Sequence, residues 1–516
     1  MEDWPEPEPE AKVIRVLRPS DGTLVGELAV TPPHDIPRRV ARAQSVQEGW
    51  ASLEPRDRAR RLEGLIGAIG ARAREIEGTI VAETGKPRAE AMVEIITVLD
   101  LLRFYRKKAP GFLAPRSVPS GWLVWKGASV TREPLGVIGV ISPWNYPFIL
   151  SMTPVITALF GGNGAVLKPS EYTPYSGLFA EDLARDAGLP DGLVQVVVGM
   201  GATGESLVRS GVDKVFFTGG SGTGRKVLAA AAESLTPVVM ELGGKDAAIV
   251  LEDADLERAA RGIVWGAFQN AGQACIGVER VFVVDDVFDA FLRQVLEEVR
   301  RLRADSTPGV DVGPMVVPEQ LEKVEHQLLD AVERGGKVVA GGQRVDPASN
   351  VLRPTVLVDV PGPSAVLEEE TFGPLLPLVR VKDADEAVRR ANDTRYGLSA
   401  SIWTGDRRRG AKLGKLLKVG GVTVNDALVH YGIPSLPFGG VRESGFGRAR
   451  GLEGLGELTR THSIVTDRLG LEREPWWFPY SKSTEMLLWA TLLFRWKGGI
   501  RGVLSSAMAL LKRRRG

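Results

Sequence analysis

At 516 residues the chain is too long for one hydrophobic core, so two or three domains are expected. Hydrophobic residues make up 44% and charged residues 25%, the balance of an ordinary globular protein, which excludes a wholly disordered or fibrous chain. With 65 Lys and Arg against 64 Asp and Glu there is no global field to attract nucleic acid, and one cysteine with four scattered histidines excludes a disulfide framework and a multi-thiolate metal site.

In chain order, Met1 to Glu10 is acidic and proline-rich, the reverse of a basic-then-apolar secretory signal, and predicts a cytoplasmic chain. From about Ile36 to Lys108 the pattern is helical, clearest where Leu62, Leu65, Ile66 and Ile69 share one face. Pro110 to Pro134 is rich in Pro and Gly and carries short β-type runs, which predicts a protruding hairpin. Between Gly136 and Leu242 come five short apolar runs, Gly136–Ile141, Ala165–Lys168, Val194–Val198, Lys214–Phe217 and Val238–Glu241. Helix-compatible segments separate them, which is the alternation of a doubly wound parallel sheet with its ligands at the strands' carboxyl ends. The alternation resumes beyond Gly243 through a helix at Leu256–Asn270, a strand at Val281–Val284 and a helix at Val287–Arg303, predicting a second α/β domain.

Three side chains suited to one reaction sit at element ends. Cys275, the only thiol, follows the predicted helix in Gly272-Gln-Ala-Cys275, among small residues that leave room for a substrate. A lone cysteine is by itself no more than a small buried hydrophobe. Glu241 closes a β-branched strand before Leu242-Gly-Gly, and Asn145 follows a strand between Pro143 and Pro147, which hold a non-helical loop. A thiol, a carboxylate and an amide of this kind supply a nucleophile, a base and an oxyanion donor.

At these residues the sequence resembles the aldehyde dehydrogenase superfamily, over about Val13 to Thr466. The blocks Glu241-Leu-Gly-Gly-Lys245 and Gly272-Gln-Ala-Cys275 carry the resemblance, supported by Pro143–Phe148, Leu167-Lys-Pro-Ser-Glu171, Phe217-Thr-Gly-Gly220, Glu370-Thr-Phe-Gly-Pro374 and Pro437-Phe-Gly-Gly440. The resemblance implies an NAD(P)-binding domain of residues 10–110 and 132–242, a catalytic domain of 243–454, and an oligomerisation arm of 111–131 and 455–470 that pairs subunits as dimers or tetramers. It implies that Cys275 attacks the aldehyde carbon, that Asn145 and a backbone N–H hold the oxyanion, that hydride passes to the nicotinamide, and that Glu241 activates water against the thioester. NAD is the implied cofactor, with NADP as the alternative, and no metal is required. Its binding residues are implied to be Ser142, Pro143, Trp144, Lys168, Glu171, Thr218, Gly219, Gly220, Ser221, Gly224, Leu242, Glu370 and Phe372. Two departures bear on proton exit: Ala449 stands where many relatives carry Glu, and Pro154 near a frequent Lys.

The substrate tunnel is expected near Leu150, Thr153, Ile276, Tyr431 and Phe438, wide and mostly apolar, which suits an aliphatic, aromatic or fatty aldehyde better than succinic semialdehyde. Two other classes are weighed: a CoA-acylating enzyme of the same fold, which Glu241 argues against, and a non-catalytic membrane scaffold, which retention of Cys275 and Asn145 argues against. Residues 471–516 lie beyond the resemblance and combine Trp476-Trp-Phe-Pro-Tyr480, the apolar run Met486–Phe494 and basic residues at Arg495, Lys497, Arg501 and Lys512 to Arg515. The run Met486 to Trp496 reaches only about 16 Å as a helix against about 30 Å of hydrocarbon, so it predicts a peripheral anchor in the interface or a tail docked on a subunit.

Overall fold

The computed structural model describes residues 12–497 apart from 308 and 475; the acidic Met1 to Glu10 and the basic residues from Arg501 onward lie outside them. The chain forms two compact units, one of residues up to Leu113 with Glu133–Arg460, the other of Ala114–Arg132 with the chain from Thr461.

In the first unit the five apolar runs are strands. Val137–Ile141, Gly164–Lys168, Val194–Val196, Lys214–Thr218 and Val238–Glu241 are buried almost throughout, because helices cover both faces of the sheet they form. In space they run third, second, first, fourth, fifth in chain order, all parallel. The order therefore reverses beside Val137–Ile141, and the loops leaving the two flanking strands splay apart to leave a crevice at their carboxyl ends. A late segment, Gly445–Phe446, returns antiparallel to pair with Met240 and Glu241 at the edge of the sheet. Gly445 has a φ of +106°, and a Cβ there would stand 2.0 Å from the Met240 carbonyl oxygen, so only glycine permits this pairing.

A second sheet of seven strands spans Asp246–Val250 to Gly421–Val424, parallel except for the antiparallel pair Lys337–Ala340 and Thr355–Val358. The helical stretch beginning at Ile36 is five successive helices ending at Leu113, and the chain between Leu62 and Ile69 is divided into two of them, with Leu62, Leu65 and Ile69 buried. The predicted helix over Leu256–Asn270 ends at Phe268 instead. Asn270, Ala271 and Gly272 take left-handed backbone angles of 51°, 54° and 73°, which no helix accommodates.

In the second unit, Arg116–Ser117, Lys126–Pro134 and Thr459–Asp467 form a three-stranded sheet with the last strand at one edge. The Trp122, Trp125 and Trp476 rings cluster at 5.6–6.0 Å, and Glu474 accepts from the Trp125 indole and pairs with Lys126. Lys482–Lys497 is a helix whose Leu487, Leu488 and Trp489 are all exposed, so its apolar surface is not confined to one face.

One ion pair ties the helical layer of the first unit to the crevice. Lys86 Nζ and Glu94 Oε1 are 2.7 Å apart with no solvent exposure to speak of; Lys86 also donates to the Asn145 carbonyl at 2.7 Å, while Glu94 accepts the Phe148 and Ile149 N–H groups. Glu94 thereby caps the N-terminus of helix Pro147–Gly161 with a negative charge. Lys86→Met leaves that carboxylate buried and unpaired and is expected to lower unfolding stability by about 3–5 kcal/mol in denaturant titration. A loss under about 1 kcal/mol would show the pair to be dispensable.

Candidate active site

The crevice at the switch point is a cavity of about 390 Å³, and Cys275, Asn145 and Glu241 all line it. Around them stand Ser142, Pro143, Trp144, Lys168, Glu171, Thr218, Gly219, Gly220, Leu242, Glu370 and Phe372. Two sequence-nominated residues do not reach it. Ser221 donates its hydroxyl to the Glu443 carbonyl at 3.3 Å, and Gly224 lies behind the cavity, where a Cβ would meet Leu242 at 2.7 Å.

The three left-handed residues reverse the chain just before Cys275. Backbone of this kind persists only where its surroundings fix it. Glu90 accepts the Asn270 N–H with both carboxylate oxygens at 3.0 Å, and the Asn270 side chain donates to the carbonyls of Asn145 and Gln273 at 2.9 and 3.1 Å. Asn145 in turn donates one amide N–H to the Gln273 carbonyl at 3.0 Å. An amide nitrogen carries two hydrogens, so a second one is left over to donate into the cavity that Asn145 lines with Cys275. Thiol and amide are thus held by one hydrogen-bonded loop.

The electrostatics are dominated by buried carboxylates. Burial pushes the Cys275 thiol above its ordinary range, and the charges of Glu241, Asp246 and Glu370 add to the rise. Burial also pushes Glu241 up to about 8, opposed first by Arg450, then by the Thr218 hydroxyl at 3.5 Å and by Arg448. Its Oε1 has no hydrogen-bonding partner among the described residues. A base with this value can change protonation near neutral pH, as water activation requires.

The far side of the crevice suits a dinucleotide. Gly219 and Gly220 precede helix Ser221–Glu233, whose N-terminal turn supplies unpaired N–H groups, and nothing stands within 4 Å of a Cβ at Gly220. At the end of strand Gly164–Lys168, Lys168 and Glu171 pair at 3.0 Å, the carboxylate partly open to solvent and within the cavity wall. Val208, Val227 and Ala230, not foreseen from the sequence, line an apolar slot between two helices, as a flat aromatic base requires. Glu370 accepts the Gly244 N–H at 3.1 Å, and the close approach depends on Gly243, where a Cβ would lie 2.4 Å from the carboxylate oxygens. Trp144 meets Phe372 edge-on at 5.4 Å. These residues fit a nicotinamide dinucleotide.

A second cavity of about 270 Å³ also reaches Cys275, and Leu150, Ile276 and Tyr431 line it as expected. Thr153 and Phe438 are not on its wall: Thr153 is buried, and Phe438 packs against Tyr431 at 4.6 Å and His430 at 5.5 Å. The wall gains Val93, Thr97, Ile149, Trp265, Leu428 and Val429, and exposed Met92, Val93, Ile96, Trp265 and Val429 leave apolar surface in the segments that supply it. The only charged residue on the wall, Glu94, is already paired with Lys86. Periodicity marked these positions as helix-forming but not as tunnel, because Met92, Val93 and Ile96 stand on the exposed side of a helix whose buried side carries the regular apolar repeat.

Residues 4–464 match the model of the aldehyde dehydrogenase family. The chain is 43% identical over 473 residues to a 4,4'-diapolycopene aldehyde oxidase of a Methylomonas species, covering 91% of this chain and 89% of that one. It is 36% identical over 463 residues to a putative NADP-dependent succinate-semialdehyde dehydrogenase of Mycobacterium ulcerans, covering 88% and 89%. Its structure is similar to that of an NAD-dependent aldehyde dehydrogenase from Sinorhizobium meliloti, with a TM-score of 0.86 at 33% identity over 90% of this chain and 93% of the other. The chain belongs to the aldehyde dehydrogenase family, whose fold and NAD(P)-dependent oxidoreductase chemistry it shares.

Proposed function

We propose that the enzyme oxidises a long, apolar aldehyde to its carboxylic acid, and the observation that carries this reading is that Cys275 lies on the walls of both cavities, one polar and one apolar. The aldehyde enters by the apolar tunnel. Cys275 adds to its carbonyl carbon, and the free amide hydrogen of Asn145 with the Cys275 backbone N–H stabilises the oxyanion. Bound NAD(P)+ supplies the hydride acceptor, held by Lys168, Glu171, Gly219, Gly220, Glu370 and Phe372. The thioester left on Cys275 is hydrolysed by water from which Glu241 takes a proton, and the acid leaves.

The Methylomonas relative, named for a diapolycopene aldehyde, supports an apolar substrate; the Mycobacterium ulcerans relative is named for succinic semialdehyde. A carboxylate-bearing substrate calls for a free cation in the tunnel, and its wall carries no Lys or Arg among the described residues. Each added methylene favours binding by about 0.8 kcal/mol when buried, so kcat/KM is expected to climb with chain length by about fourfold per carbon until the tunnel is filled. A preference for succinic semialdehyde over a six- to ten-carbon alkanal would reject the apolar reading. For the hydrolytic step, loss of the proton from Glu241 produces the active base, so turnover limited by deacylation is expected to rise with pH through about 8. Glu241→Gln is expected to keep the first burst of reduced cofactor and lose turnover by about 10²–10⁴-fold.

The cofactor is read as NAD in preference to NADP, because the Glu171 carboxylate suits ribose hydroxyls and repels a 2′-phosphate. Subunit pairing is read at strand Thr459–Asp467, an edge strand exposed at nearly every position. The tail is read as a peripheral membrane contact of a cytoplasmic enzyme. No described helix is long and apolar enough to cross a bilayer, yet Phe478 is 78% exposed, Trp489 61% and Trp496 76%, which supports reading the segment as interfacial. The protein is expected to sediment with anionic vesicles, and Leu488→Glu with Trp489→Glu to release it; equal sedimentation of the variant would discard the anchor.

A further inference from the structure

Near Glu241 the interior holds polar side chains that no protein group satisfies. The Arg450 guanidinium is fully buried, and none of its three nitrogens has a hydrogen-bonding partner among the described residues. Glu241 Oε1 is likewise unpartnered, and the Tyr431 hydroxyl and Thr153 Oγ1 have at most each other. These groups are neighbours: the guanidinium carbon lies 4.7 Å from the centre of the Tyr431 ring, Thr153 stands beside the Tyr431 hydroxyl, and Arg450 is the strongest cation acting on both Glu241 and Tyr431.

Arg448, two residues earlier, has the partners of a purely structural arginine. Its guanidinium donates to the carbonyls of Gly440 and Gly447 at 3.1 and 2.7 Å. Arg450 has no such carbonyl, although its loop is fixed by paired hydrogen bonds between Ala449 and Phe438, both 2.7 Å, and by Gly454 N–H on its own carbonyl at 2.8 Å. Its backbone sits at φ 58° and ψ −178°, a conformation L-residues rarely adopt, and Ala449 beside it is too short to reach Glu241. A charge so buried is retained only where something polar meets it; the Tyr431 ring face meets one side of the guanidinium, and the N–H groups left over suit water.

We propose that Arg450, with Tyr431 and Thr153, binds ordered water against Glu241 and is the positioning residue for thioester hydrolysis. The proposal rests on Glu241 being the hydrolytic base. In that step one O–H bond of water breaks, its proton passes to Glu241, the oxygen bonds to the thioester carbon, and the C–S bond breaks to return Cys275 as the thiolate with the acid released. The proton then leaves Glu241 along the bound water. The Arg450 guanidinium favours the ionised form of Glu241 and so opposes the rise that burial imposes on it. The charged or titratable groups facing Glu241 are Arg450 and Arg448 from the loop after Gly445, Cys275 from its own loop, and Tyr431.

The test compares full-length Arg450→Leu and Arg450→Lys with the wild type, using NAD(P)+ and an alkanal. Rapid mixing reads acylation as the burst of reduced cofactor, and steady-state turnover across pH reads deacylation. Removing the cation favours the neutral form of Glu241, so its base form appears only at higher pH. Arg450→Leu is expected to keep the burst, to turn over roughly tenfold more slowly near neutral pH, and to shift the rising limb of the profile up by roughly one unit or more. Arg450→Lys is expected to restore most of both, and Tm in Arg450→Leu to hold or rise, since an apolar side chain replaces a buried charge. An unshifted limb in Arg450→Leu overturns the proposal, as does loss of burst and Tm together in both variants, which marks a packing role. Wild-type deacylation in Glu241→Gln overturns the base itself, a result that neither Arg450 variant produces.

Discussion

The geometry of the site depends on one fully buried lysine and the carboxylate it pairs with. Lys86 reaches the Asn145 carbonyl only because Glu94 neutralises it, and Glu94 is held by the N-terminus of the helix that Asn145 leads into. The Tyr146 ring lies 4.1 Å from the same ammonium, and its hydroxyl donates to Gln269 at the start of the left-handed turn before Cys275. Glu90, one helical turn from Glu94, closes the circuit on Asn270. A pair of this kind contributes little net stability, since its desolvation offsets its attraction. What it fixes is register: thiol, amide and tunnel wall share a hydrogen-bonded frame that no single loop could maintain.

Around that frame the charges are unequally matched. Glu241, Asp246 and Glu370 all raise the Cys275 thiol, while Lys245, close by, is committed to Glu279 at 2.7 Å and to Thr371 at 2.8 Å. The site by itself therefore favours the neutral thiol. It also favours a protonated Glu241, so the proposed nucleophile and the proposed base are both held back by the same burial. The reactive state must be drawn out by what binds, which suits an enzyme whose thiol is its only one and is partly open to solvent.

Much of this was legible in the sequence, for reasons specific to each part. The five parallel strands read correctly because both faces are covered and their residues are uninterruptedly apolar. Glu241 and Asn145 were legible because they sit at strand ends beside residues that constrain the backbone. The two-residue overrun of the helix before Cys275 has the opposite cause: Asn270 and Ala271 adopt left-handed angles imposed by Glu90, 180 residues away in the chain. The Lys86–Glu94 pair was illegible because charged residues in a helical pattern read as solvated faces, and the burial of Arg450 because a charged loop residue reads as exposed. Ser221, Thr153 and Phe438 were nominated by their place in a motif, and a motif fixes where the backbone runs, not which side chain turns into the cavity.

The division between Cys275's two sides then follows from solvation. On the tunnel side Leu150, Ile276, Leu428 and Val429 offer an aldehyde no polar contact except near the thiol, so binding free energy grows with apolar length and not with headgroup chemistry. On the other side, buried Glu241 lines the polar cavity and its Oε1 is an acceptor that hydrocarbon cannot satisfy. On the function proposed above, a long acyl chain on Cys275 would fill the tunnel and exclude water from it, so water for hydrolysis would arrive from the Glu241 side. The more completely a substrate fills the tunnel, the more the reaction depends on the polar side for its second half. Chain length should therefore strengthen binding without hindering hydrolysis, a combination that a single uniformly apolar pocket does not allow.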